Sequence, residues 1–143
     1  MTSLSGLFNA ALWLAGIAHF CLLGASLQLP HRLNWKADLK KVLPFNRKLM
    51  WTYYYFTIAT IVAFGILTLV FHDEFLGGNR DALALAIFIG VYWLARIAYD
   101  IFYFSHDDWP KGKGFIAGHG LLMFAFIALA LTYFGLVIWH MFA

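Results

Sequence analysis

The side chains here with types and spacing suited to chemistry are few: His19, His119, and Arg96 with Asp100 four residues on. All sit inside or at the margin of long apolar runs, where an ionisable group is expensive and usually marks a function. Two histidines contributed by different helices at similar depth meet the minimum requirement for a bis-imidazole b-type haem, in which both imidazoles hold the iron. One histidine alone would serve a chlorin. Gly118 and Gly120 flank His119 and clear space beside its ring. A flat macrocycle needs such space, and close helix packing accounts for the glycines equally well. The plainer reading, and the preferred one, is that each histidine is neutral and bonded to a neighbouring hydroxyl or carbonyl.

Arg96 and Asp100 share one helical face, with Tyr92, Tyr99 and Tyr103 around them. Their spacing suits an ion pair, here expected to be structural and to fix helix packing. Sharper roles are a proton relay, a contact from Arg96 to a quinone or a haem propionate, or a bridge between subunits. His72 with Asp73 and Glu74, and His140, contain ligand-type groups. A surface metal site is the sharper reading there, and solvated helix ends the expected one. His106-Asp107-Asp108 fits no metal spacing and reads as a charged loop. Cys21, the single cysteine, excludes an internal disulfide and any cysteine cluster. It is expected as a buried, inert thiol. Gly-rich phosphate loops, His-Glu-x-x-His, Cys-x-x-Cys and Gly-x-Ser-x-Gly are all missing from the sequence. The expected catalytic set is therefore none, and no metal site is assigned.

The elements that must position these groups follow from composition. The 143 residues are 63% hydrophobic and 12% charged, with mean hydropathy +0.76. Soluble domains carry about twice that share of charge. An apolar helix of about 20 residues crosses a bilayer core, and four windows qualify: about 7–28, 50–71, 82–104 and 114–142. The expected fold is all-α, a four-helix antiparallel transmembrane bundle forming one domain over 1–143. Pro30 is expected to stop the first span, and Gly77-Gly78-Asn79 to separate the second from the third. Met1 to Ala18 contains no Lys or Arg, so the small-residue run Gly24-Ala25-Ser26 is not read as a signal-peptide cleavage site and the first span is expected to be retained.

Charge sets the expected direction. The loop 29–49 holds Arg32, Lys36, Lys40, Lys41, Arg47 and Lys48, and the loop 105–113 adds Lys111 and Lys113. Between the second and third spans stands only Arg80. The positive-inside rule places both basic loops in the cytoplasm and both termini outside, most simply across the cytoplasmic membrane. Within the first loop, Trp35, Leu39, Val42 and Leu43 fall on one helical face, with Lys36, Lys40 and Lys41 elsewhere. This predicts a short amphipathic helix lying in the membrane surface, its lysines near anionic headgroups; a docking surface for a soluble partner is the alternative.

Counting about 1.5 Å per residue puts His19 roughly 13 Å from the basic end of its span, with His119 within about one turn of that depth. Ala11 and Ala15 share the His19 face, and small faces are where membrane helices approach. Thr57, Thr60, Thr68 and His72 form a second stripe, and His119, Met123, Phe126, Ala130, Tyr133 and Val137 a third. Both read as interior faces of a bundle. Small loops, no catalytic set and apolar spans point to a non-catalytic accessory or structural subunit of a larger membrane complex. Its expected partners are the lipid bilayer and other membrane subunits or further copies, with no nucleic acid. A haem b or chlorin protein in electron or energy transfer is the alternative, with His19, His119 and Arg96 as its residues. A small transporter or proton-coupled channel stands third.

Overall fold

The computed structural model describes residues 2–104 and 112–142. Every element among the described residues is helical: α1 (Thr2–Arg32), α2 (Trp35–Asp38) with a 3-10 turn over Leu39–Lys41, α3 (Pro44–Val70), α4 (His72–Gly77), α5 (Arg80–Phe102) and α6 (Lys113–Phe142). Four of them, α1, α3, α5 and α6, are long and apolar enough to cross a membrane. The apolar windows read from the sequence fall within or across these helices, with ends displaced by up to six residues.

α1 packs along α3 and α5 along α6, while α1 touches α6 less and α3 barely meets α5 through the backbone. Apolar side chains gain little by leaving lipid for protein, so close packing has to hold the pairs together. Glycines permit it. A Cβ on Gly65 would stand 2.9 Å from Phe20 and 3.1 Å from the His19 Cβ, and one on Gly90 would meet Phe134 at 3.1 Å. The best-buried side chains include Leu12, Phe75, Ile89, Trp93, Tyr133 and Leu136, drawn from α1, α4, α5 and α6.

Two local readings are corrected and a third is extended. Pro30 does not stop α1, which runs on to Arg32. Lacking an N–H, Pro30 leaves the Ser26 carbonyl without its helical partner, and the Tyr54 hydroxyl of α3 donates to that carbonyl at 2.9 Å. A freed carbonyl in a membrane helix is tolerated when a neighbour satisfies it. Tyr54→Phe should therefore lower stability by about 0.5–1.5 kcal/mol, measured by thermal unfolding in detergent. A Ser26→Ala change keeps the backbone carbonyl and should leave stability within about 0.5 kcal/mol.

The first loop differs next. Helical turns run from Trp35 only to Lys41, and Pro44 opens α3, its missing N–H costing nothing at a first helical position. Trp35 and Leu39 are buried, whereas Val42 and Leu43 are exposed, so the predicted apolar face is split. Trp35 packs edge-on against Trp51 and Tyr54, at 5.4 and 5.3 Å between ring centres. Lys36, Lys40 and Lys41 are exposed.

Last, Gly77-Gly78-Asn79 does separate the second span from the third, but the short helix α4 leads into it. Gly78 ends α4 in the left-handed region at φ 77°, where glycine has no Cβ penalty, and the His140 ring covers that glycine. Asn79 then caps α5, its side chain accepting the Asp81 N–H at 3.1 Å. Phe75, fully buried, carries α4 inward to Tyr133.

Candidate functional site

His19 is completely buried. Its Nδ1 lies 2.8 Å from the Ala15 carbonyl, one turn earlier, and its Nε2 lies 3.0 Å from the Trp93 indole nitrogen of α5. An indole N–H only donates and a backbone carbonyl only accepts. These two partners fix the ring: Nδ1 carries the proton and donates to Ala15, and the Nε2 lone pair accepts from Trp93. His19 is thus a neutral imidazole with both nitrogens engaged. Phe64, Trp93 and Tyr133 enclose it at 5.9, 5.5 and 6.2 Å between ring centres.

That geometry bears directly on tetrapyrrole ligation. An axial histidine needs a nitrogen lone pair aimed at the metal, and the His19 lone pair is aimed at an N–H. His119 stands elsewhere, half-buried on α6, its Nε2–H donating to the Asp100 carboxylate at 2.7 and 2.9 Å. The two histidines occupy separate settings, so the residues present do not fit a bis-imidazole haem. A side-chain carbon added at Gly118 or Gly120 would have no atom within 4 Å among the described residues, so packing among those residues does not explain these glycines.

Asp100 and Arg96 do not form the ion pair expected from their spacing. Four residues on one helix bring two side chains near one another, but that spacing does not choose between competing partners. Asp100 bonds His119 across the helix pair, and the Arg96 guanidinium lies over the Phe126 ring, 5.5 Å from its centre. No carboxylate pairs with Arg96 among the described residues.

Arg96 instead lines a chamber of ≈ 360 Å³ between α1, α3, α5 and α6, at the end where Trp35 folds over. The walls are mainly apolar, from Leu22, Ile61, Trp93 and Phe126, with hydroxyl-bearing residues Ser26, Tyr53, Tyr54, Thr57 and Tyr92 among them. Nothing in the spacing of these residues announced the chamber. The one available signal was Arg96 itself, a cation in an apolar run.

At the other end His72 is buried instead of solvated, 3% exposed, stacked on Trp13 at 4.0 Å and donating from Nε2 to Asn9 Oδ1 at 2.6 Å. His72 Nδ1 and His140 Nε2 are buried without a hydrogen-bond partner among the described residues. His140 rests on Trp139 and Gly78. Among the described residues no three ligand-type side chains converge to hold a metal ion.

Of the threonine stripe, Thr57 and Thr60 donate to carbonyls of their own helix, whereas Thr68 also reaches another, 2.5 Å from the Tyr133 hydroxyl. The α6 stripe is buried at Phe126, Ala130, Tyr133 and Val137. Cys21 is exposed, beside a groove between α1 and α6, not buried as expected. His106, Asp107, Asp108 and Lys111 lie outside the described residues. Comparison with protein-family models, with curated proteins and with solved structures finds no match to this chain.

Proposed function

We propose that this chain is a non-catalytic accessory or structural subunit of a larger complex in the cytoplasmic membrane. In this reading its four spans form one antiparallel bundle. The basic loop 29–49 faces the cytoplasm with Lys36, Lys40 and Lys41 at the lipid surface, and both termini lie outside. The charge asymmetry supports that direction.

The observation that carries the subunit role is the way the polar interior is used up. Within the spans, several histidine, hydroxyl and carboxylate groups are committed to partners within the protein: His19 to Ala15 and Trp93, Thr68 to Tyr133, Asp100 to His119. Such bonds fix helix positions and occupy the groups that a reaction would need. Large apolar side chains cover the outside of the spans, among them Leu14, Phe56, Phe88, Phe124 and Leu131. They suit lipid and neighbouring membrane helices equally.

Extraction of native membranes in a mild detergent is expected to bring the chain out in fixed stoichiometry with other membrane proteins, read by size-exclusion chromatography and mass spectrometry. Recovery solely as a single copy from native membranes, under several gentle detergents, overturns the proposal.

A further inference from the structure

Arg96 is held where a cation has reason to bind something. It lies in a segment suited to the membrane, over an aromatic ring, with no carboxylate paired to it among the described residues. The acid one turn away is already taken by His119. Guanidinium offers five N–H donors in a planar fork, a geometry that grips a phosphate through two parallel bonds.

Two hollows meet at this residue. The inner one is the ≈ 360 Å³ chamber, and the second, ≈ 320 Å³, runs over the outer surface of α5 along Phe88, Val91, Ala95 and Tyr99. Arg96 and Tyr92 belong to both and so form the ridge between them. The lining of each is mostly apolar. α3 and α5 barely meet through the backbone, and the edges of Phe64, Phe88 and Tyr92 pack between them beside the site. The arrangement is a cation between two mostly apolar troughs.

We propose that this site holds one anionic diacyl phospholipid from the surrounding leaflet, its phosphate on Arg96, one acyl chain in the inner chamber and the other along α5. A two-chain lipid fits better than a single-chain acid because there are two troughs, not one. The charge of the end also agrees. Leu29, Trp35 and Met50 of the basic loop region border the chamber, and Arg32, Lys36, Lys40 and Lys41 lie beside them in the chain. Each basic residue near an anionic surface adds to the local enrichment of such lipids.

The test uses the full chain, purified in detergent and exchanged with phosphatidylglycerol or with phosphatidylcholine of identical acyl chains, bound lipid being counted by native mass spectrometry. One phosphatidylglycerol per chain is expected to persist at collision energies that strip phosphatidylcholine. Arg96→Gln should lower that preference about tenfold, the loss expected of one charge-assisted bidentate contact. Ile61→Trp, which fills the inner chamber and keeps the cation, should reduce retention of both lipids, its folding checked by circular dichroism. Neutralising Lys36, Lys40 and Lys41 to glutamine together should leave the single tight lipid in place. Equal retention of the two lipids overturns the proposal. So does an Arg96→Gln protein that keeps the wild-type preference, a triple lysine variant that alone abolishes it, or displacement of the lipid by millimolar inorganic phosphate.

Discussion

Trp93→Ala is expected to destabilise the protein by about 3–5 kcal/mol, the range for deleting a buried large aromatic side chain. Trp93 is 2% exposed, stacks on Phe126 at 5.1 Å between ring centres, and donates its indole N–H to His19. Trp93→Phe separates these contributions. It keeps most of the ring and removes the donor, leaving the His19 Nε2 buried without a partner. Hydrogen bonds between membrane helices are usually worth about 0.6 and at most about 1.7 kcal/mol, so a loss of about 1–2 kcal/mol is expected once the unpaired nitrogen is counted.

A double-mutant cycle isolates the bond. With His19→Ala already present, Trp93→Phe should cost markedly less than in the wild type, because there is no acceptor left to lose. Unfolding by sodium dodecyl sulfate in mixed micelles, followed by tryptophan fluorescence, gives the four values. Equal costs in both backgrounds would show that the Trp93–His19 bond contributes nothing measurable. The same cycle bears on ligation: a His19 that owes its place to Trp93 is a packing element, and a coordinating His19 would gain freedom when Trp93 is removed.

The second large effect lies at the contact between α1 and α3, where two glycines are expected to respond in different ways. A Cβ on Gly65 would meet the His19 Cβ and the edge of Phe20. The first is fixed to its helix and the second is a rigid ring, so the helices must part. Overpacking of this kind costs about 1–3 kcal/mol, and alanine returns up to about 1 kcal/mol through helix propensity. Gly65→Ala should therefore be net destabilising, and Gly65→Val more so, because the larger side chain adds to the clash and valine returns less helix propensity. A Cβ on Gly16 would meet the Leu69 side chain alone, at its Cγ and Cδ2. Leu69 can turn aside, which makes Gly16→Ala nearly neutral. Gly118→Ala, facing open space among the described residues, should be neutral or slightly stabilising. The ranking Gly65, then Gly16, then Gly118 is the expected result of one series of melting curves, and a Gly65→Ala protein as stable as Gly118→Ala would contradict the close approach.

How much of this was legible beforehand depends on the range of the interaction. Four helices of membrane-crossing length were readable because hydropathy over some twenty neighbouring residues is a local property. The Phe126, Ala130, Tyr133 and Val137 face was readable for a similar reason, since helical period alone puts those side chains on one side. A neutral His19 bonded to a nearby carbonyl was the preferred expectation and matches its bond to Ala15, whereas its second bond needed an indole 74 residues away.

Partner choice was the part that only tertiary structure decided. Arg96 and Asp100 satisfy the spacing rule for a pair, but α6 brings His119 to the carboxylate and Phe126 beneath the guanidinium. Pro30 reads as a helix stop until Tyr54, on another helix, takes up the carbonyl it frees. Trp35 points inward because Trp51 and Tyr54 stand against it, and His72 is buried because α4 seats it on Trp13. Apolarity over a window fixes which segments are suited to enter a bilayer. Which polar group meets which is settled by the alignment of helices remote in sequence. That same alignment sets Arg96 beside an apolar chamber, with no carboxylate paired to it among the described residues.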